Sequence, residues 1–170
     1  MWNDEKMLVD YIENLEQQEK DGNQYLQDLV TPEVVEKLKQ FLARMSGRGG
    51  ASNHYAAAAA CNLLAEWYQH KGDLPSLKES LANQERRLSF YQRIYPELNG
   101  AVAWALEDIG DLQVKIREEM VKRIWMRNEI TSEDICSIYT QSRVILSQMF
   151  GADHKYTERV DDKIAHIKNR

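Results

Sequence analysis

Between Tyr55 and Tyr68 the chain is apolar except at Asn62 and Glu66. Those two stand four apart, so on a helix they share one face and form a narrow wet stripe. Five consecutive alanines, Ala56 to Ala60, let a neighbouring backbone approach closely, and Leu63, Leu64, Trp67 and Tyr68 supply bulk further on. After Gly72-Asp73 the apolar positions are Leu77, Leu81, Leu88, Tyr91 and Tyr95. Their spacings of four, seven, three and four are helical, and Gln84 stands where one more apolar residue would fall. Two helices that each need a partner face, joined by a few residues, predict an αα-hairpin turning at Gly72-Asp73.

Similar patterns flank this hairpin. Leu8, Tyr11, Ile12 and Leu15 mark an amphipathic helix over residues 3–20, broken at Asp21-Gly22-Asn23, and a short helix with Tyr25, Leu26, Leu29 and Val30 follows. Thr31-Pro32-Glu33 is a helix start, with Thr as the cap, Pro in the first helical position and an early acid. Val34, Val35, Leu38, Phe41, Leu42 and Met45 form its buried face, and Ser52 or Asn53 caps the alanine-rich helix. Downstream, Leu98, Val102, Ala105, Ile109, Leu112 and Ile116 recur at steps of four and three. Thr131-Ser132-Glu133-Asp134 carries capping chemistry for a helix with Ile135, Ile138, Tyr139, Ile145, Leu146 and Met149 on one face. Gly151 ends it, Asp153-His154 caps the next, and Tyr156, Val160, Ile164 and Ile167 are that helix's apolar stripe, its charged remainder suiting a solvent-facing cap. No strand pattern occurs, so the fold class is all-α.

Gly-Asp-Leu at 72–74 recurs at 110–112, an offset of 38 residues, each time after a mostly apolar helical stretch. A period of that size is the signature of stacked helical hairpins, although the second copy also fits one helix running through Gly110. Ser46-Gly47-Arg48-Gly49-Gly50 is the flexible, low-complexity stretch. The expected organisation is a helical lead-in over 1–46, a Gly-rich linker over 47–51 and a helical domain over 52–170.

At 170 residues, with 43% hydrophobic and 29% charged side chains, the chain suits one globular domain with a real core. A net charge of −5 argues against nucleic acid as the main partner, and Arg86-Arg87 and Lys122-Arg123 read as decoration of solvated helix faces. Two cysteines, Cys61 and Cys136, in apolar runs read as buried thiols of a reducing compartment. No apolar run approaches a membrane span and no signal-peptide pattern opens the chain, so a cytoplasmic or nuclear location is expected.

Chemistry has little purchase. His54, His70, His154 and His166 have no zinc-type spacing to one another or to the cysteines, so no metal is expected. Asp108 with Asp111, or Glu118 with Glu119, are paired acids of the kind common on exposed helix faces. No GxSxG, GxxxxGK[ST] or GxGxxG motif occurs, and Gly47 to Gly50 is not followed by Lys-Ser/Thr, so neither a cofactor nor catalysis is expected. Trp67, Trp104 and Trp125 lie in helical patterns and read first as core, with a peptide groove as the other role.

From Tyr55 onward the blocks LLAEWYQHKGDL and AVAWALEDIGDL resemble the tetratricopeptide-like helical arrays. RIYPELNGAVAWALEDIGDL and SRVILSQMFGADHKYTERVDDKI are similar, in order, to the C-terminal helical region of the SET and MYND domain (SMYD) lysine methyltransferases. The catalytic parts of that family lack a counterpart: Ser52-Asn53-His54 is followed by Tyr55 where the SET motif needs Ser-Cys, and two cysteines cannot build the zinc modules. The resemblance therefore implies a helical domain, excised from a larger protein or standing without its catalytic half, with a binding role and no S-adenosylmethionine.

In tetratricopeptide arrays the first helix of each hairpin lines the concave surface. That resemblance places Asn62 and Glu66, on the 54–70 helix, and Trp104 and Glu107, on the 98–109 helix, against a partner. For Asn62 and Glu66 the other reading is contact with water or with this same chain. The expected function is a non-catalytic scaffold or regulatory module for a protein or peptide partner. Two alternatives stand beside it: an accessory domain shaping the substrate cleft of a SMYD-type methyltransferase, and a homodimeric structural bundle.

Overall fold

The computed structural model describes residues 30–46, 55–95, 98–122 and 130–169, together with positions 6, 10, 11, 14 and 17. Six helices run through these blocks: α1 Pro32–Ser46, α2 Tyr55–Lys71, α3 Leu74–Ile94, α4 Gly100–Lys122, α5 Ser132–Phe150 and α6 Lys155–Lys168. There is no strand among the described residues. Each helix packs on the next one in sequence, so the protein is an all-α array of stacked hairpins.

Local chemistry sets the ends of these helices. The Thr31 hydroxyl accepts the Val34 amide at 3.4 Å where α1 begins. Gly72, at φ +71, makes the left-handed turn that ends α2, a conformation glycine adopts without a steric penalty. Asp73 then caps α3, its carboxylate accepting from the Ser76 amide at 3.0 Å and the Ser76 hydroxyl at 2.7 Å. Thr131 and Asp134 form a reciprocal capping box at the start of α5. Gly151, at φ +104, ends α5, and the His154 ring caps α6 by accepting the Tyr156 amide at 3.3 Å.

Leu38, Phe41, Leu63 and Leu64 lie at the centre of an α1–α2 core, to which Val30 and the partly buried Tyr11 also belong. Burial of side chains of this size contributes about 1.5–3 kcal/mol each. All five alanines, Ala56 to Ala60, are buried, so close backbone approach is what the run provides. Leu98, by contrast, is 54% exposed, because α4 begins at Gly100 and Leu98 lies ahead of its helical period. Cys61 is buried and Cys136 half-buried, both as free thiols. Burial pushes the Cys61 thiol up to about 11.

The 38-residue echo has structural meaning at one point and loses it at another. Ala65 and Ala103 are equivalent in the echo, both fully buried, and each carbonyl accepts a serine hydroxyl from the following helix. Ser80 donates to Ala65 at 2.7 Å and Ser142 to Ala103 at 2.8 Å. Gly110, however, makes no turn, because α4 runs straight through it. The glycine is there for space: an added Cβ would sit 2.4 Å from Cε1 of Tyr139 on α5.

The expected lead-in helix over residues 3–20, its break at 21–23, the 47–51 linker, the Ser52 or Asn53 cap and Trp125 lie outside the described residues, apart from the five positions named above.

Candidate functional site

α2, α4 and α6 together line a cleft of about 700 Å³. Helical spacing explains which side chains reach it. Asn62, Glu66 and Gln69 come from one stripe of α2, and Asp108, Asp111, Lys115 and Glu118 from one stripe of α4. α6 contributes Asp162, Lys163 and His166, while Gln84 of α3 and Tyr139 of α5 fill the gaps between. Five carboxylates thus face two lysines and one histidine.

One wall of the cleft is a continuous polar chain. Asn62 donates to Glu66 at 2.7 Å and accepts from Gln84 at 3.4 Å. Arg87 donates to Gln84 and to Asp108, each at 3.0 Å, and to the Tyr91 hydroxyl at 3.2 Å. Gln84 therefore joins Asn62 of α2 to Arg87, which in turn reaches α4, and this is why a glutamine interrupts the apolar stripe of α3; it is 4% exposed. Burial raises the Asp108 carboxyl above the ordinary carboxylate value, with Arg87 acting against that shift. Burial also works against the Arg87 charge, but Tyr91 and Asp108 more than offset it and the guanidinium is held more firmly protonated.

Arg87 departs from the expectation of a solvated basic pair. Arg86 is exposed, whereas Arg87 points to another side of α3 and is only 15% exposed as it bridges to α4. Adjacent residues on a helix point about 100° apart, so one basic dipeptide serves two different surfaces.

The opposite wall is an ion network. Glu107 accepts from Arg159 at 2.6 Å and from Lys163 at 2.7 Å, and Lys163 also reaches both oxygens of Asp111 at 2.7 and 2.8 Å. The Tyr139 hydroxyl donates to Asp111 at 2.6 Å. Burial first, and the Asp111 carboxylate second, push the Tyr139 phenol well above its ordinary range, so it stays a donor. The charged side of α6 was expected to face solvent; instead its Arg159 and Lys163 dock the helix onto α4. The signal available in sequence was the spacing itself, since Tyr156, Arg159, Lys163 and Ile167 share one face of α6.

Asn62 and Glu66 stand on the cleft wall, hydrogen-bonded to each other. Glu107 is 5% exposed, with both oxygens held by α6. Trp104 is 41% exposed and lies one turn ahead of Asp108 on α4. Its ring meets Tyr156 edge-on at 6.2 Å, within an aromatic group that includes Phe150 and His154. The structure thus brings Asn62 and Glu66 to the cleft and leaves Glu107 and Trp104 outside its lining, Glu107 buried against α6 and Trp104 one turn ahead of Asp108. Among the described residues no three metal-type side chains converge, and no helix is long and apolar enough to cross a membrane.

No protein-family model and no curated protein sequence matches this chain.

Proposed function

We propose that the chain is a non-catalytic interaction module that holds a peptide segment of a partner protein in the α2–α4–α6 cleft. The observation that carries this reading is the cleft itself: its volume of about 700 Å³ is ligand-sized and it is lined by alternate helices of the array. Glu66, Asp108, Asp111, Glu118 and Asp162 outnumber Lys115 and Lys163 along it, which favours a segment carrying lysine or arginine. Trp104, exposed one helical turn before Asp108 and beside Tyr156, offers an apolar anchor for a segment that extends past the lining.

Capture from native cell extract, read by quantitative mass spectrometry, tests this reading. Glu118→Lys with Asp162→Lys reverses two exposed cleft charges and is expected to reduce the captured partner while the melting profile holds. Glu36→Lys with Glu133→Lys alters exposed positions outside the cleft and is expected to leave capture intact. Loss of capture with the second pair and not the first would refute the cleft as the binding surface. The accessory-domain reading rests on the sequence resemblance to SMYD C-terminal regions, and co-purification of a methyltransferase catalytic half would favour it.

A further inference from the structure

A second cleft of about 680 Å³ lies on the other side of α3, between α1, α2 and α3. Its floor is apolar, formed by Ala57, Cys61, Leu64 and Tyr68, which follow one another at helical steps along α2. Its rim is cationic, with Lys39 from α1 and Arg86 and Arg93 from α3, against the single carboxylate Glu79. This concentration of positive charge stands on a chain whose net charge is −5. Arg86 is exposed and makes no ion pair or hydrogen bond among the described residues.

One buried group in the lining is incomplete. Asn83 is 3% exposed, and its amide nitrogen donates to the Glu79 carbonyl at 2.8 Å. Among the described residues its Oδ1 has no hydrogen-bond partner. Buried polar atoms are nearly always paired, so an orphan acceptor in the wall of a ligand-sized cleft calls for a donor. In an extended peptide backbone N–H groups are unpaired and can supply one; inside a helix they are already used.

We infer that this cleft binds an extended acidic segment of a partner protein. Apolar side chains of the segment rest on the α2 floor, a carboxylate pairs with Arg86 in the positive field of Lys39 and Arg93, and a backbone N–H completes Asn83. The surface is separate from the α2–α4–α6 cleft, because Asn83 and Arg86 face one side of α3 and Gln84 and Arg87 the other.

Fluorescence anisotropy on the full chain tests this, using a short labelled peptide of glutamate, leucine and proline and its counterpart with lysine at every glutamate. The acidic peptide is expected to bind and the lysine peptide not. Arg86→Glu should weaken the acidic peptide by about tenfold or more, as expected for loss of a charge-assisted contact. Asn83→Leu should weaken it too while leaving the melting temperature unchanged or higher, since relief of a buried unpaired acceptor offsets loss of the local bond to the Glu79 carbonyl. Glu118→Lys with Asp162→Lys in the other cleft should leave binding unchanged, so failure of either cleft is recognised separately. Absence of binding, full binding by Arg86→Glu or Asn83→Leu, or equal affinity for a single-stranded RNA would each overturn the inference.

Discussion

Gly110→Ala tests the packing of α4 against α5 directly. The new Cβ would lie 2.4 Å from Cε1, 2.8 Å from Cδ1 and 2.9 Å from Cζ of Tyr139, where ordinary contact begins near 3.4 Å. Tyr139 is 2% exposed and its hydroxyl is tied to Asp111, so the ring cannot swing aside freely. Overpacking of this kind costs about 1–3 kcal/mol, and weakening a hydrogen bond to a carboxylate adds up to about 1.5–3 kcal/mol. Replacing a mid-helix glycine with alanine returns about 1 kcal/mol through helix propensity. The net expectation is a loss of about 2–4 kcal/mol. Urea unfolding followed by far-ultraviolet circular dichroism measures it. Repeating the substitution in a Tyr139→Leu background, where the ring is gone, should reverse the sign to a gain of about 0.5–1 kcal/mol. Equal or greater stability for Gly110→Ala in the native background would refute the close approach and return Gly110 to the role of a tolerated helical glycine.

Glu107→Lys should lose about 3–5 kcal/mol in the same unfolding assay, because it leaves Arg159 and Lys163 facing a third cation in a buried site. Arg87→Ala should cost about 1.5–3 kcal/mol by loss of charge-assisted bonds, whereas Arg86→Ala should stay within about 0.5 kcal/mol; comparable values at both positions would contradict their assignment to different sides of α3. Cys136 should react first with a water-soluble disulfide reagent and Cys61 only on unfolding, since Cys61 is buried and its thiol is pushed up to about 11; quantitative mass spectrometry of the labelled peptides reads the order. Asp73 and Asp134 titrate below the ordinary 3.8 because of their cap hydrogen bonds, so their stabilisation is complete above that value and is lost as pH falls below it through their lowered folded-state values. Thermal melts from about pH 5 to about pH 2 should fall more shallowly for Asp134→Asn than for the native chain, and because Asp108 is common to both its own titration cancels in the comparison.

The helices and most of their ends were legible in the sequence because they depend on neighbours within a few residues. Thr31-Pro32, Gly72-Asp73, the Thr131–Asp134 box and Gly151 each act through short-range hydrogen bonds or a single backbone dihedral. Apolar spacing likewise marked inward faces, as Val35, Leu38, Phe41 and Met45 illustrate, while Tyr95 and Met149 at the C-terminal ends of their stripes lie exposed. The fate of polar residues was decided by tertiary structure, because a charge at helical spacing looks the same whether it meets water or another helix. Glu107 stands more than fifty residues before Arg159 and Lys163, and the three become one network around a buried carboxylate only when α6 lies on α4. Gln84, a break in a stripe by sequence, becomes with Arg87 the link between α2 and α4. Gly110 carried the same Gly-Asp-Leu signal as Gly72, yet one is a turn and the other a space for an aromatic ring. Local sequence specifies a backbone preference; whether glycine serves conformation or clearance depends on what the rest of the chain packs against it.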